Sequence, residues 1–220
     1  SKMIEGKYNS EQAYKAFDSQ LRQSTDIPEE KVVLTSKKAY SNYFHSDGGN
    51  EAYSVMANTL RSCYKSDVLI ATANSFTGNV LQTDYTEKMA GNMIMPNGLW
   101  AYKRKMNGAE LKKIIKFFVE GYEGGFTPFN CGSLPVISGI SIEVEEKDNG
   151  YTLTKITKDG KTLKDKDTFI VTCLATQTNM DSLPVNETEA FEAEDMQVKD
   201  AWIQYVSKGK VVLEKPERYI

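Results

Sequence analysis

Histidine is all but absent from this chain. His45 is the only one in 220 residues, and it sits in Tyr-Phe-His-Ser-Asp-Gly-Gly with no acidic pair at ligand spacing. Two-metal hydrolytic centres, Ser-His-Asp triads and Cys-His dyads each need a positioned imidazole, usually several. A single loop histidine builds none of them, which argues strongly against a self-contained metallohydrolase. Arginine is nearly as scarce: Arg22, Arg61, Arg104 and Arg218 are four of 27 basic residues, and the net charge is −3. That balance offers no basic face for nucleic acid. The three cysteines, Cys63, Cys131 and Cys173, have no metal-type spacing, and their odd number forbids complete internal pairing. They read as small buried apolar residues. No apolar run approaches the roughly 18 residues that a membrane span needs, and no secretion signal opens the chain. A start at Ser1-Lys2 without an initiator methionine reads as a piece cut from a longer polypeptide.

What is present describes an ordinary globule, with 40% hydrophobic and 26% charged residues. The clearest unit runs from Leu99 to Gly121. Its first half has the aromatic content and alternation of a strand. Asn107 then stands at a helix N-cap, with Glu110 three residues on to complete a capping box. Leu111, Ile114, Ile115, Phe118 and Tyr122 follow on one helical face, and Gly121 stands where a C′ glycine ends the helix.

Around this unit the pattern predicts further elements. Asn9 to Gln23 reads as a helix with a thin apolar stripe, and Pro28 breaks the chain behind it. Lys31 to Ser36 is a short strand. A helix from about Asn50 to Tyr64 precedes the continuous apolar run Asp67 to Ala73, typical of a strand buried on both faces. That run ends in Asn74-Ser-Phe-Thr-Gly-Asn79, which puts Asn74 and Ser75 at a strand's carboxyl end, where open α/β sheets hold ligands. A plain turn there is the competing reading.

Thr83 to Asn92 reads as a short helix. In the Gly- and Pro-rich stretch after Gly121, Phe126 and Phe129 offer ring faces for a flat ligand or, alternatively, pack down on a core edge. Ile140 to Glu145 and Tyr151 to Ile156 alternate as strands around an Asp148-Asn-Gly150 turn, and Asp159-Gly160 marks a second tight turn. Thr168 to Cys173 is another buried strand, Ala175 to Pro184 a polar loop containing Asp181, and Asp195 to Ser207 a closing helix offering Trp202, Tyr205 and Val206 to a core. The whole predicts an α+β (mixed α/β) fold, a mixed β-sheet flanked by helices.

In order, these pieces resemble the C-terminal, substrate-specificity domain of bacterial 5′-nucleotidases, the group that includes UDP-sugar hydrolases and 2′,3′-cyclic phosphodiesterases. Asp67-Val-Leu-Ile-Ala-Thr-Ala-Asn-Ser is similar to the family's buried strand ending in Asn-Ser-Gly-Gly-Ile-Arg. Met95-Pro-Asn-Gly-Leu, Met106-Asn-Gly-Ala-Glu-Leu-Lys, Leu134-Pro-Val-Ile-Ser-Gly-Ile and Gly160-Lys-Thr-Leu resemble its later motifs, as do Asp200-Ala-Trp-Ile-Gln-Tyr-Val and Glu217-Arg-Tyr-Ile. The resemblance covers about residues 30–220 and makes residues 1–29 an interdomain connector helix.

The resemblance implies a nucleotide- or nucleoside-binding domain with no catalytic residue or cofactor of its own. Two divalent metal ions and the chemistry would belong to an N-terminal metallophosphoesterase domain of the same polypeptide, and this domain alone would be inactive. It further implies a bacterial, secreted or cell-surface parent hydrolase of nucleotide catabolism. Asn74 and Ser75 match the family's Asn-Ser, and Asp181 matches its sugar-binding Asp. Asn97 takes the place of the first base-stacking Phe, and Ala175 lies near the second. Asn79 stands in place of a phosphate-gripping Arg, and no Arg occurs between Lys31 and Tyr53, where others would lie. A guanidinium grips phosphate through paired, charge-assisted hydrogen bonds that Asn cannot supply. The alternative is a degenerate packing module or a small-molecule binding module unrelated to phosphoesters.

Overall fold

A computed structural model describes residues 19, 30–42, 50–95, 98–120, 135–147, 150–176, 180, 181, 183, 191–209 and 211–213. The chain divides into two compact units, Ser1–Lys31 and Val32–Ile220. In the first, Ser19 is helical and Glu30 and Lys31 are exposed; the rest of the expected connector helix, and Tyr122, Gly121, His45 and Cys131, lie outside the described residues.

The second unit is built from β1 (Val32–Ser36), α1 (Glu51–Cys63), β2 (Val68–Ala71), β3 (Asp84–Thr86), α2 (Glu87–Gly91), β4 (Trp100–Asn107), α3 (Gly108–Glu120), β5 (Val136–Ser138), β6 (Ser141–Lys147), β7 (Gly150–Lys158), β8 (Lys161–Thr162), β9 (Thr168–Ala175), β10 (Glu192–Gln197), α4 (Val198–Ser207) and β11 (Val211–Leu213). The central five-stranded sheet has the order β10-β4-β9-β2-β5; β2 and β9 run parallel and the other pairs antiparallel. Two three-stranded sheets, β11-β1-β3 and β6-β7-β8, accompany it. This is the expected mixed sheet with helical cover.

Alternation sorts the central strands onto two cores. Leu69, Ala71, Ala101 and Leu174 join one cluster with Met56 and Leu60 of α1 and Trp202 of α4. Val68, Ile70, Tyr102, Met106, Val171 and Cys173 join another with Leu111, Ile114, Ile115 and Phe118 of α3 and Ile156 of β7. The apolar run of β2 is continuous because both its faces are covered. Each Leu or Ile sunk in these clusters contributes about 2 kcal/mol of transfer free energy.

The capping box forms as read. Asn107 Oδ1 accepts from Glu110 N at 2.9 Å, and Glu110 Oε2 accepts from Asn107 N at 2.8 Å. Asn50 caps α1 by accepting from Tyr53 N at 2.9 Å. Asp159 and Gly160, with φ of 50° and 75°, make a tight turn between Lys158 and Lys161, because Asp and Gly tolerate the left-handed region.

Two expectations are corrected. Asp195, Met196 and Gln197 belong to the strand β10, and the last helix begins only at Val198. The helix expected over Thr83 to Asn92 shortens to α2, because Asp84–Thr86 pairs with β1 as β3 and Thr86 becomes the helix cap.

The described cysteines are free. Cys173 is buried, and burial pushes its thiol up to about 12. Cys63 is half-buried, not fully so as read from sequence; desolvation first and the charge of Glu194 second push it up to about 11. A thiol pKa raised by folding favours the native state fully below the unfolded value near 9, and that contribution fades as pH climbs through 11 and 12. At about pH 8, below both thiol pKa values, a disulfide reagent should therefore label Cys173 only at the rate of unfolding, and Cys63 well below the rate of a free peptide thiol. Time-resolved labelling read by mass spectrometry checks this; burst labelling of Cys173 would contradict its packing.

Candidate functional site

The parallel pair β2 and β9 carries its two carboxyl ends to one edge of the central sheet. Ala71 is in register with Leu174, which brings Thr72 beside Ala175, and Ala175 is in register with Trp100 at the start of β4. Val136, where the chain rejoins the sheet as β5, pairs with Ala71 at the same edge. Three chain segments thus converge there: the turn after β2, the entry to β4 and the exit from β9.

The turn after β2 is a single 3₁₀ turn, Ala73–Ser75. Ser75 N donates to Thr72 O at 3.0 Å, and the two hydroxyls lie 3.4 Å apart. Ser75 O accepts from Met95 N at 3.1 Å, so the turn is laced to the segment leading towards Gly98. The two matched residues therefore divide. Asn74 is exposed at the edge, whereas Ser75 is 1% exposed and holds the turn together. Asn97, Phe126 and Phe129 lie outside the described residues.

Behind β9, Met180 is buried and donates its N–H to Thr176 O at 3.1 Å, leaving Asp181 exposed beside it. Burial first, and the charge of Asp181 second, push the Tyr102 phenol above its ordinary value, so Asp181 stands near the ring of β4. Strand alternation puts Trp100, Tyr102 and Arg104 on one face of β4. Trp100 is half-buried. Arg104 donates from Nη2 to Glu110 Oε1 at 2.6 Å, and its guanidinium carbon lies 5.9 Å from the Phe191 ring centre. This charge is committed inside the fold, with 8% of its side chain exposed.

Asn79 has a job that local sequence did not reveal. Its Oδ1 accepts from Asn42 N at 2.8 Å, while Asn50 Nδ2 donates to Asn42 O at 2.6 Å. The paired bonds between Tyr40 and Val80 close the same clasp. The position read as a lost phosphate grip thus fastens two loop segments. Among the described residues, the segments that meet here carry an amide at Asn74, a half-buried indole at Trp100 and a carboxylate at Asp181. Such groups can stack a flat ring and accept from hydroxyls. The row Trp100, Tyr102 and Arg104 was missed as a unit, although its alternate spacing was visible. Among the described residues no group of three or more His, Cys, Asp or Glu side chains is arranged to hold a metal, and no helix is long and apolar enough to cross a membrane.

By sequence, the chain matches no protein-family model and no curated protein. By structure it superposes on several solved hydrolases. Over 93% of this chain and 42% of the other, it is similar to the 5′-nucleotidase precursor of Thermus thermophilus, with TM-score 0.66 and 11% identity. The NAD nucleotidase of Haemophilus influenzae gives TM-score 0.63 at 15% identity over 92% and 40% of the two chains. The sulfate thiohydrolase SoxB of Thermus thermophilus gives 0.58 at 12% over 93% and 38%. The chain therefore spans about two fifths of the length of the structures it matches, an extent consistent with one C-terminal domain, and its fold is that of the 5′-nucleotidase C-terminal domain.

Proposed function

We propose that this chain is the substrate-holding domain of a 5′-nucleotidase-like hydrolase, and that it binds the nucleoside part of its substrate at the carboxyl edge of β2 and β9. The observation that carries the reading is the register that brings the turn after β2, the entry to β4 and the exit from β9 to one edge, within a fold shared with nucleotidases over nine tenths of this chain. Trp100 gives the base a ring face, Asp181 accepts from sugar hydroxyls, Asn74 supplies an amide, and Ser75 shapes the turn; Asn97, Phe126 and Phe129 belong to the same proposal on sequence grounds. Bond cleavage belongs to a metallophosphoesterase domain outside residues 1–220, with Asn9 to Gln23 as the connector and two divalent ions on that other domain. A secreted or surface location follows from the same kinship. Because Arg104 is paired within the fold and Asn79 replaces a guanidinium, phosphate adds little to binding at this edge.

Calorimetric and thermal-shift titration with nucleosides, nucleotides and nucleotide sugars tests this. Ligand at a hundred times Kd should stabilise the fold by about 2.7 kcal/mol. Nucleosides should bind within a few-fold of their monophosphates, and Asp181→Asn should weaken nucleosides about tenfold, the scale of one lost hydrogen bond to a charge. Tight binding of phosphates alone would overturn the nucleoside reading, and silence towards every ligand would favour a packing module.

A further inference from the structure

A second polar cluster lies at the other end of β5 from the edge just described. Asn58 and Arg61, one turn apart on α1, meet Ser138 at the end of β5, which is in register with Leu69. Arg61 Nε donates to Ser138 Oγ at 3.0 Å, Arg61 Nη2 donates to Asn58 Oδ1 at 3.1 Å, and Ser138 Oγ donates to the same Oδ1 at 3.3 Å. The three side chains close a ring that consumes its own acceptors. Asn58 Oδ1 receives two bonds, and the Ser138 hydroxyl, buried with 5% exposure, both gives and receives.

The donors do not balance. A guanidinium has five N–H groups and a primary amide two. Two of the guanidinium's are used in the ring, and the others, with both amide hydrogens of Asn58, meet no further partner among the described residues. With Oδ1 held in the ring, what Asn58 has left to offer a further ligand is its Nδ2 hydrogens. Nor does a described carboxylate neutralise the charge. Asp67 flanks the same glycine, Gly139, as the Arg61 side chain, yet its carboxylate is engaged by Ile170 N at 2.8 Å and Lys158 Nζ at 3.4 Å. Arg104, by contrast, carries its own carboxylate partner.

The geometry points to an anion site: Arg61, oriented by Ser138 and Asn58, receives a small oxyanion that presents two oxygens to the guanidinium edge, as a phosphate or a carboxylate does. A planar fork held in one rotamer loses little freedom on binding, and its paired bonds are charge-assisted. With Asn58 and Arg61 half-exposed and one positive charge, binding is millimolar and weakens as salt rises. The site is independent of the nucleoside edge, since it uses none of its residues.

The test is a titration of the full chain with inorganic phosphate at constant ionic strength maintained with chloride, followed by NMR at the Arg61 Nε–H and Asn58 Nδ2–H₂ signals. Saturable shifts concentrated there, lost in Arg61→Gln, are expected, with Ser138→Ala weakening phosphate about threefold or more. An acetate arm tells a tetrahedral ligand from a planar one: a tighter response to either identifies the source of the oxyanion. If Arg61→Gln does not fold, the wild-type shifts alone decide. No shift at either side chain up to about 50 mM of both anions, well beyond a millimolar Kd, or an unchanged response in Arg61→Gln, overturns the proposal.

Discussion

Trp202→Ala lowers the free energy of unfolding by about 4 kcal/mol, seen as a lower urea midpoint at an unchanged m-value. The side chain is 0% exposed in the cluster that joins α1, α4 and one face of the central sheet. Its indole Nε1 also donates to Ala90 O at 2.9 Å, so one residue ties α4 to α2 by both packing and a hydrogen bond. Truncation removes a large ring from a site whose backbone neighbours cannot close the gap. Close packing of these helices is visible at Gly91, where an added Cβ would lie 3.1 Å from Ile203 Cδ1. Trp202→Phe keeps most of the ring and loses the donor, so it should cost about half as much, with roughly 1 kcal/mol of that from the stranded carbonyl. A loss below about 1 kcal/mol in Trp202→Ala, far under the usual cost of deleting a buried ring, would mean that α4 does not seat as described.

Trp202 was legible as a core residue, and the reasons divide the sequence into readable and unreadable parts. Local chemistry reads well. The capping box at Asn107 and Glu110 depends on residues three apart, and the α3 stripe on a period that the chain itself carries. The run of β2 shows in composition that both its faces are buried. Strand β10 does not read, because Glu-Ala-Glu-Asp-Met-Gln lacks the β-branched and aromatic residues of strands. It is an edge strand, and pairing with β4 near Glu192, Ala193 and Gln197 overrides its poor propensity.

The candidate site shows the same split. A polar loop after a buried strand marked Asn74 and Ser75, but nothing local says that Ser75 is buried by its ties to Thr72 and Met95. Asn79 looked like a missing charge until Asn42, 37 positions away, supplied its partner. Asn58 and Arg61 are an ordinary pair on a helix until Ser138, 80 positions on from Asn58, completes their ring. Such non-local contacts set the surroundings of each candidate residue, and local sequence does not carry them.

Gly139→Ala should cost about 4 kcal/mol, the sum of a backbone and a steric part that two other glycines show separately. Gly160 has φ of +75° with nothing within 4 Å of an added Cβ. Gly160→Ala therefore carries only the left-handed backbone penalty, about 1 kcal/mol. Gly108 shows the steric part alone: it opens α3 without positive φ, but a Cβ there would lie 2.0 Å from Lys164 O and 2.9 Å from Leu163 Cδ2. A backbone oxygen at that distance cannot be rotated away, and Gly108→Ala should cost about 3 kcal/mol, the upper range for overpacking. Gly139 combines the two, with φ of +95° and a Cβ 2.1 Å from Asp67 O and 3.0 Å from Arg61 Cδ. Relief would require β5 to move away from the start of β2, where Asp67 is itself fixed by bonds in both directions to Ile170. The three variants should therefore rank Gly160→Ala, Gly108→Ala, Gly139→Ala in rising cost by urea denaturation. A Gly139→Ala protein as stable as Gly160→Ala would show that β5 and β2 do not approach as closely as this packing requires.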